Sequence, residues 1–416
     1  MQTDLAPASI ESPGTGLWRR IGLGQQILIG MAVGAVLGLT AGERVMVLQP
    51  VGELFLRLLV MAAIPLVFFN LLAGITSLTS LGTFGRVGLR ISIYYLATTV
   101  LALILGLAVM HVIQPGVGVR LTGDAPQQLG EVPAFSAILL DMVPSNVFAA
   151  FANGKLTQVV VFALLLGIAV LTLPASSRNP LASAFDVLAQ ALRALVGIVL
   201  YLAPIGIGAL MAVTVNQHGG GLFGPLAKFI GAVWIAQAIM VLVYLALLSL
   251  LTPRSPIDFL RKTAPLYATT AATCSSMASL AQAIQVSEER LGLPRSIYSF
   301  TLALGATMNQ NGTSITLAAL LLFTAQAAGV EFSLASQITI VFVGVLLSNG
   351  SAGIPGSAVV VALLFVESFN LPVEIAAIVA GVYRLIDMGS TTVNVMGDLV
   401  GTVIVADLED RTPAGK

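Results

Sequence analysis

The stretch LIDMGSTTVNVMGDLVG, residues 385–401, sets two aspartates, Asp387 and Asp398, in an otherwise apolar run. On a helix, Asp387, Thr391, Asn394 and Asp398 fall within about 60° of one another and form one polar stripe. Along the helix axis the two carboxylates stand about 16 Å apart, too far to hold one small ion together. They must serve different sites. Asp398 is one turn from Asn394, the spacing for a carboxylate that joins carbonyl oxygens around a hard cation. Asp387, beside Ser390 and Thr391, is placed to hold an ammonium group through a charge-assisted hydrogen bond. Arg384, one turn earlier, leaves a second reading open, a buried ion pair with Asp387.

Such carboxylates matter because of their surroundings. Of 416 residues, 57% are hydrophobic and 9% charged, against about 25% charged in soluble domains. This is the composition of a polytopic membrane protein. An aspartate at a bilayer centre costs roughly 2.5–3.5 kcal/mol on insertion scales, so an intramembrane carboxylate points to function by default. The formal net charge of zero argues against a nucleic-acid partner. The single cysteine, Cys274, excludes an intrachain disulfide and a CxxC metal motif. His111 and His218 are too scattered for a metal cluster and are expected at loops or span ends. Residues 1–17, with acids and prolines and no basic start, read as a short flexible cytoplasmic tail rather than a cleavable signal peptide.

The elements that must position these residues follow from length and polarity. A helix needs about 20 apolar residues to cross a bilayer. Segments near 22–42, 46–78, 88–114, 136–173, 187–216 and 225–251 meet that need, giving six N-terminal spans within residues 18–253. Trp18-Arg19-Arg20, Arg86 and Arg90, then Arg254, Arg261 and Lys262 put the N-terminus on the cytoplasmic side by the positive-inside rule. Residues 254–406 behave differently. Two apolar runs, 337–347 and 358–368, flank SNGSAGIPGSA, and eleven helical residues rise only about 16 Å, half a bilayer core. That pattern predicts a re-entrant hairpin, with a second at 257–287 around TTAATCSSMAS. Each hairpin precedes a long span with a polar break, GATMNQNGTS within 296–327 and DMGSTTVNVMGD within 372–406. Hairpin plus interrupted span, occurring twice, points to an inverted-repeat transporter with its site at the midplane. Small residues also serve helix packing, but packing does not account for Asp398 or the amides. Residues 407–416 read as a cytoplasmic tail.

Several motifs together resemble the dicarboxylate/amino acid:cation symporters. They are DMGSTTVNVMGDLVGT, YSFTLALGATMNQNGTS, SAGIPGSA, LLVMAAIPLVFFNLLAGITSL, YYLATT, MVPSNVFAAFANG and APIGIGAL. The resemblance covers nearly the whole chain. It implies an all-α polytopic fold of eight transmembrane helices plus two re-entrant helical hairpins. It also implies a homotrimer in the cytoplasmic (inner) membrane, in contact with lipid, with a scaffold from spans one, two, four and five. The transport core, which spans three and six would accompany, would move as an elevator. By position, one cation site would use carbonyls of Gly305, Asn309 and Asn394 with the carboxylate of Asp398. A second would use carbonyls of Thr307, Ser348, Asn349 and Ser351. A third resembles Tyr95, Thr98, Thr99 and Asn309 with Asn311. The substrate would lie among Ser276, Thr313, Ile354, Ala358, Asp387, Ser390, Thr391 and Asn394, its amino group on Asp387. No cofactor is implied beyond transported Na+ or H+, and no enzymatic activity.

The chain departs from the family pattern at three places. Ser390 stands where acidic-substrate members carry an arginine, and Tyr383 replaces the acid that steadies it. An unpaired buried carboxylate costs several kcal/mol, so the expected substrate is a small neutral amino acid. An acidic amino acid or C4-dicarboxylate is the alternative, with Arg384 supplying the charge. Asn311 lacks the charge of the family's aspartate, so the third cation site is expected to be weak or absent, and Gln310 replaces a methionine. In the first hairpin Cys274-Ser275-Ser276-Met277 lacks the usual arginine, for which Arg384 is a substitute by spacing. An ion channel is disfavoured because two occluding hairpins suit alternating access. A hydrolase is disfavoured because Ser275 and Ser276 have no histidine partner.

Overall fold

A computed structural model describes residues 23–77, 85–119, 140, 143–153, 155–218, 223–348 and 357–410, and the regular elements among them are all helical. The N-terminal part comprises α1 (Leu23–Thr40), a 3-10 segment (Gly42–Leu48), α2 (Gln49–Ser77), α3 (Gly85–Ile113), α4 (Val147–Ala152), α5 (Leu156–Leu171), α6 (Ala175–Leu200), α7 (Ala203–His218) and α8 (Phe223–Leu251). The C-terminal part comprises α9 (Pro256–Thr273), α10 (Ser276–Gln285), α11 (Arg295–Met308), α12 (Asn311–Ala327), α13 (Leu334–Ser348), α14 (Ser357–Ser368) and α15 (Val373–Asp410). By length and composition, Arg86–Ile113, Ala175–Val199, Phe223–Leu251 and Val382–Asp410 can each cross a membrane.

Two expected spans are divided. Within 136–173 the described residues form α4 and α5. Asn146 caps α4 by accepting the Ala149 N–H at 3.1 Å, and Asn153 ends it. The 187–216 segment is interrupted at Tyr201 and Leu202, and α6 begins much earlier, at Ala175. Pro204 explains the interruption, since proline offers no N–H and clashes with the preceding helical turn. α1 then lies against α7 with its backbone in contact: a Cβ on Gly34 would strike the Gly208 carbonyl.

The break at 309–310 between α11 and α12 is as expected, whereas the break inside 372–406 is not. α15 runs unbroken for 38 residues, about 57 Å and well beyond a bilayer core. Gly389, Gly397 and Gly401 do not loosen it. Each opens a slot into which a neighbouring side chain fits: Gln237 at Gly389, Tyr244 at Gly397 and Tyr94 at Gly401. Packing from α8 and α3 thus supplies what glycine withholds in helix propensity.

In the C-terminal part, α12 and the second half of α15 are largely buried. Every residue of α12 from Asn311 to Ala325 is buried. This helix packs against α3, α8, α14 and α15, while α15 is wrapped by α8, α9, α11 and α12. At the far end of α15, the Arg254 guanidinium grips the Asp407 carboxylate at 3.0–3.2 Å and donates to the Leu291 carbonyl at 2.9 Å. Arg90 of α3 pairs with Glu409 at 2.6 Å.

Candidate functional site

The first hairpin turns in two residues. Cys274 takes the left-handed conformation (φ 49°), and its N–H closes α9 on the Thr270 carbonyl at 2.8 Å. Ser275 caps α10, accepting the Ala278 N–H at 3.1 Å. Serine is a preferred N-cap because its oxygen satisfies an otherwise orphaned helical N–H. Ser276, next in line, is buried and its hydroxyl has no hydrogen-bond partner among the described residues. The hairpin docks on α15 through a 2.8 Å contact between the hydroxyls of Thr270 and Thr392.

The α11–α12 break delivers three amides to the middle of α15. Asn309 ends α11, its N–H bonding the Gly305 carbonyl at 2.8 Å. Its side-chain Nδ2 donates to Asp398 Oδ1 at 2.8 Å and to the Asn394 carbonyl at 3.1 Å, while its Oδ1 is buried without a partner among the described residues. Gln310 Oε1 accepts from Asn394 Nδ2 at 2.9 Å and from the Thr313 hydroxyl at 3.3 Å. Asn394 Oδ1 in turn accepts the Gly312 N–H at 2.7 Å.

Asp398 is 3% exposed, and among the described residues no cationic side chain pairs with it. A buried carboxylate held by one amide is strongly under-compensated. Gly305 lets α11 approach it closely, because a Cβ there would meet both the Asp398 carboxylate and the Tyr95 hydroxyl. One carboxylate among backbone and amide oxygens is the donor set of a hard cation. No group of three or more His, Cys, Asp or Glu side chains suited to a metal is found among the described residues.

Asp387 stands elsewhere on the unbroken helix. Its Oδ1 lies 3.4 Å from the Tyr383 hydroxyl and 3.5 Å from the Thr391 hydroxyl, both donors. Arg384 Nη2 is 3.5 Å from the Thr273 carbonyl at the end of α9. The Cys274 thiol at the hairpin tip is within electrostatic range of both Asp387 and Arg384. Ser390 turns the other way. Its hydroxyl takes the Gln237 Nε2–H at 2.9 Å, meets Thr316 Oγ1 at 3.0 Å and reaches the Gly312 carbonyl at 3.3 Å.

The other expected residues separate into those brought together and those not. The Thr99 hydroxyl donates to Asn311 Oδ1 at 2.9 Å, and Asn311 Nδ2 donates to the Tyr244 hydroxyl at 2.6 Å. Tyr95 donates to the Thr301 carbonyl at 2.9 Å, and the Thr98 hydroxyl turns back to the Tyr94 carbonyl of its own helix at 2.8 Å. Thr307 bonds Leu304 of its own helix at 2.9 Å, and Ser348 is buried at the end of α13. Ala358 is buried in the first turn of α14. Asn349, Ser351 and Ile354 lie outside the described residues.

The arms of the first hairpin, the broken α11–α12 pair and an under-compensated carboxylate on α15 thus converge on one polar region. A protein-family model described as the sodium:dicarboxylate symporter family matches residues 23–408. The chain belongs to that family. Among similar proteins is a proton/glutamate-aspartate symporter of Bacillus subtilis, 34% identical over 92% of this chain and 94% of that one. A proton/sodium-glutamate symport protein of the same organism is 30% identical over 94% and 93% of the two chains. Its C4-dicarboxylate transport protein is 30% identical over 94% of each.

As a member of the sodium:dicarboxylate symporter family, the chain is a membrane transporter coupled to Na+ or H+ and not an enzyme. The family resemblance did not lead to Gln237, Tyr244 or Thr316. Gln237 had a signal: it is the one side-chain amide in the apolar run 225–251, and a lone polar residue within a span marks a functional position. Tyr244 and Thr316 carry no comparable mark, since both residue types are common in apolar helices.

Proposed function

We propose that this protein is a cation-coupled symporter of an acidic amino acid or C4-dicarboxylate. The Arg384 guanidinium near the end of the first hairpin's α9 carries this reading. The expectation of a neutral substrate rested on the missing arginine at position 390, where the Ser390 hydroxyl, bonded to Gln237, Thr316 and Gly312, supplies no charge. The guanidinium at the hairpin end belongs to Arg384, beside Asp387. A buried carboxylate ligand needs such a partner. The relatives named for glutamate, aspartate and C4-dicarboxylates support the acidic reading, and the neutral one gains no support from them.

In this reading Asp387 takes the substrate ammonium, Arg384 its side-chain carboxylate, and Thr313, Thr391 and Asn394 its remaining polar atoms, under Ser276 and Ala358 of the two hairpins. Asp398 with Gly305, Asn309 and Asn394 holds one coupling cation, and Thr307 and Ser348 contribute to a second. The third position is weak or empty, because Asn311, bonded to Thr99 and Tyr244, offers a cation no negative charge. α8 is tied to α15 and α12 through Gln237 and Tyr244, which supports a core that moves together with α3 and α8. An elevator within an inner-membrane homotrimer, its N-terminus cytoplasmic, completes the proposal.

The test is uptake by purified protein in liposomes. Glutamate, aspartate, succinate, alanine and serine are each offered under imposed sodium and proton gradients. Accumulation of aspartate, glutamate or succinate is expected. Alanine or serine accumulating in preference to all three acids overturns the substrate reading.

A further inference from the structure

One side chain of the site is engaged twice over with groups assigned to the substrate. Gln310 is 1% exposed at the α11–α12 break. Its Oε1 accepts from Asn394 Nδ2 and from the Thr313 hydroxyl at 2.9 and 3.3 Å. Neither amide can be turned around without loss. Gln310 Nε2 donates to the Ala306 carbonyl at 3.2 Å, which only accepts, and Asn394 Oδ1 receives the Gly312 N–H, which only donates. Backbone groups at both ends therefore fix the polarity of the chain from Gly312 through Asn394 and Gln310 to Ala306. Amide orientation is thus settled by chemistry here. The result is an sp² oxygen, fixed to the protein, on two donors that converge as a ligand carboxylate oxygen would require.

We propose that the Gln310 side-chain carbonyl is a built-in competitor of the substrate carboxylate: it latches Asn394 and Thr313 in the empty carrier and must leave before ligand binds. The inference rests on the assignment of Asn394 and Thr313 to the substrate site. Its consequence is opposite in sign to that of an ordinary structural hydrogen bond. A latched state that cannot bind lowers apparent affinity by the fraction of carriers it occupies. Weakening the latch tightens binding, and strengthening it loosens binding.

The experiment measures binding of aspartate, glutamate and succinate to purified protein by calorimetry, and KM in liposomes, at saturating coupling cation. Gln310→Met retains length and removes the acceptor. It should lower Kd and KM about 3- to 10-fold, the worth of a net hydrogen bond. Gln310→Glu puts an ionised acceptor on the same two donors and should raise both. Asn394→Ala is the separate check on the underlying assignment. If Asn394→Ala binds normally, the substrate assignment fails and the latch with it. If Asn394→Ala loses binding while Gln310→Met binds no tighter than the native chain, the latch alone is wrong. A Gln310→Glu carrier of unchanged or higher affinity likewise overturns it. Should Gln310→Met not fold, Gln310→Leu with the same readout replaces it.

Discussion

Asn309 and Asp398 meet across the α11–α15 seam, the asparagine amide donating to the aspartate at 2.8 Å and to the Asn394 carbonyl at 3.1 Å. The amide thus touches two of the oxygens assigned to the first cation. A neutral donor can partly offset a buried carboxylate, but it does not remove the charge. The arrangement leaves Asp398 with a standing demand for a cation. In the proposed function, that demand is what draws in the coupling cation.

Replacing Asp398 with asparagine removes the demand. A hydrogen bond to a charged group is worth about 1.5–3 kcal/mol, or roughly 10- to 150-fold in affinity. Cation-driven accumulation should fall by at least that factor, read as uptake against imposed sodium and proton gradients. Accumulation that continues at the native level would place the coupling ion elsewhere.

Arg384→Ala should separate acids from neutral solutes. Loss of a guanidinium from a buried carboxylate costs about 2–5 kcal/mol, so the KM for aspartate, glutamate or succinate should rise by 30-fold or more. Arg384→Lys, with charge but no planar fork, should restore part of it. Competition assays against labelled aspartate provide the readout. Equal affinity before and after the change would show that Arg384 does not meet the ligand.

Asn311→Asp should reopen the third position. Its carboxylate would lie beside Thr99 and Tyr244 without a counter-charge, and a hard cation is the natural compensation. The expected outcome is a steeper dependence of uptake on sodium concentration, with one further ion per substrate. An unchanged sodium dependence in a folded, active variant would refute this.

Gln237 and Ser390 should behave as a unit. Gln237→Leu and Ser390→Ala each lose the same 2.9 Å bond. Thermal unfolding in detergent should report a coupling of about 1 kcal/mol in the double-mutant cycle. Strict additivity would mean that the bond contributes nothing.

Much of the site was legible in residues 385–401, because angular position on a helix is a local property of about 100° per residue. The stripe of Asp387, Thr391, Asn394 and Asp398 could be drawn without coordinates. So could the first hairpin tip, where small hydroxyl residues separate two short helices, and the break after Met308, where amides and glycine interrupt an apolar run. What escaped was the partner of each side chain. DMGSTTVNVMGD reads as a polar break, yet α15 is continuous there, with Gln237, Tyr244 and Tyr94 in the space that Gly389, Gly397 and Gly401 leave.

Composition and periodicity along the chain were enough for the membrane class and the polar face of α15, and the motifs taken together for the family. Tertiary packing alone brought the Ser390 hydroxyl to Gln237 of α8 and Gln310 to Asn394. It alone seated Asn311 between Thr99 and Tyr244. Hydrogen bonds act over about 3 Å, while these partners come from helices more than sixty residues apart. Which donors converge is therefore a property of packing.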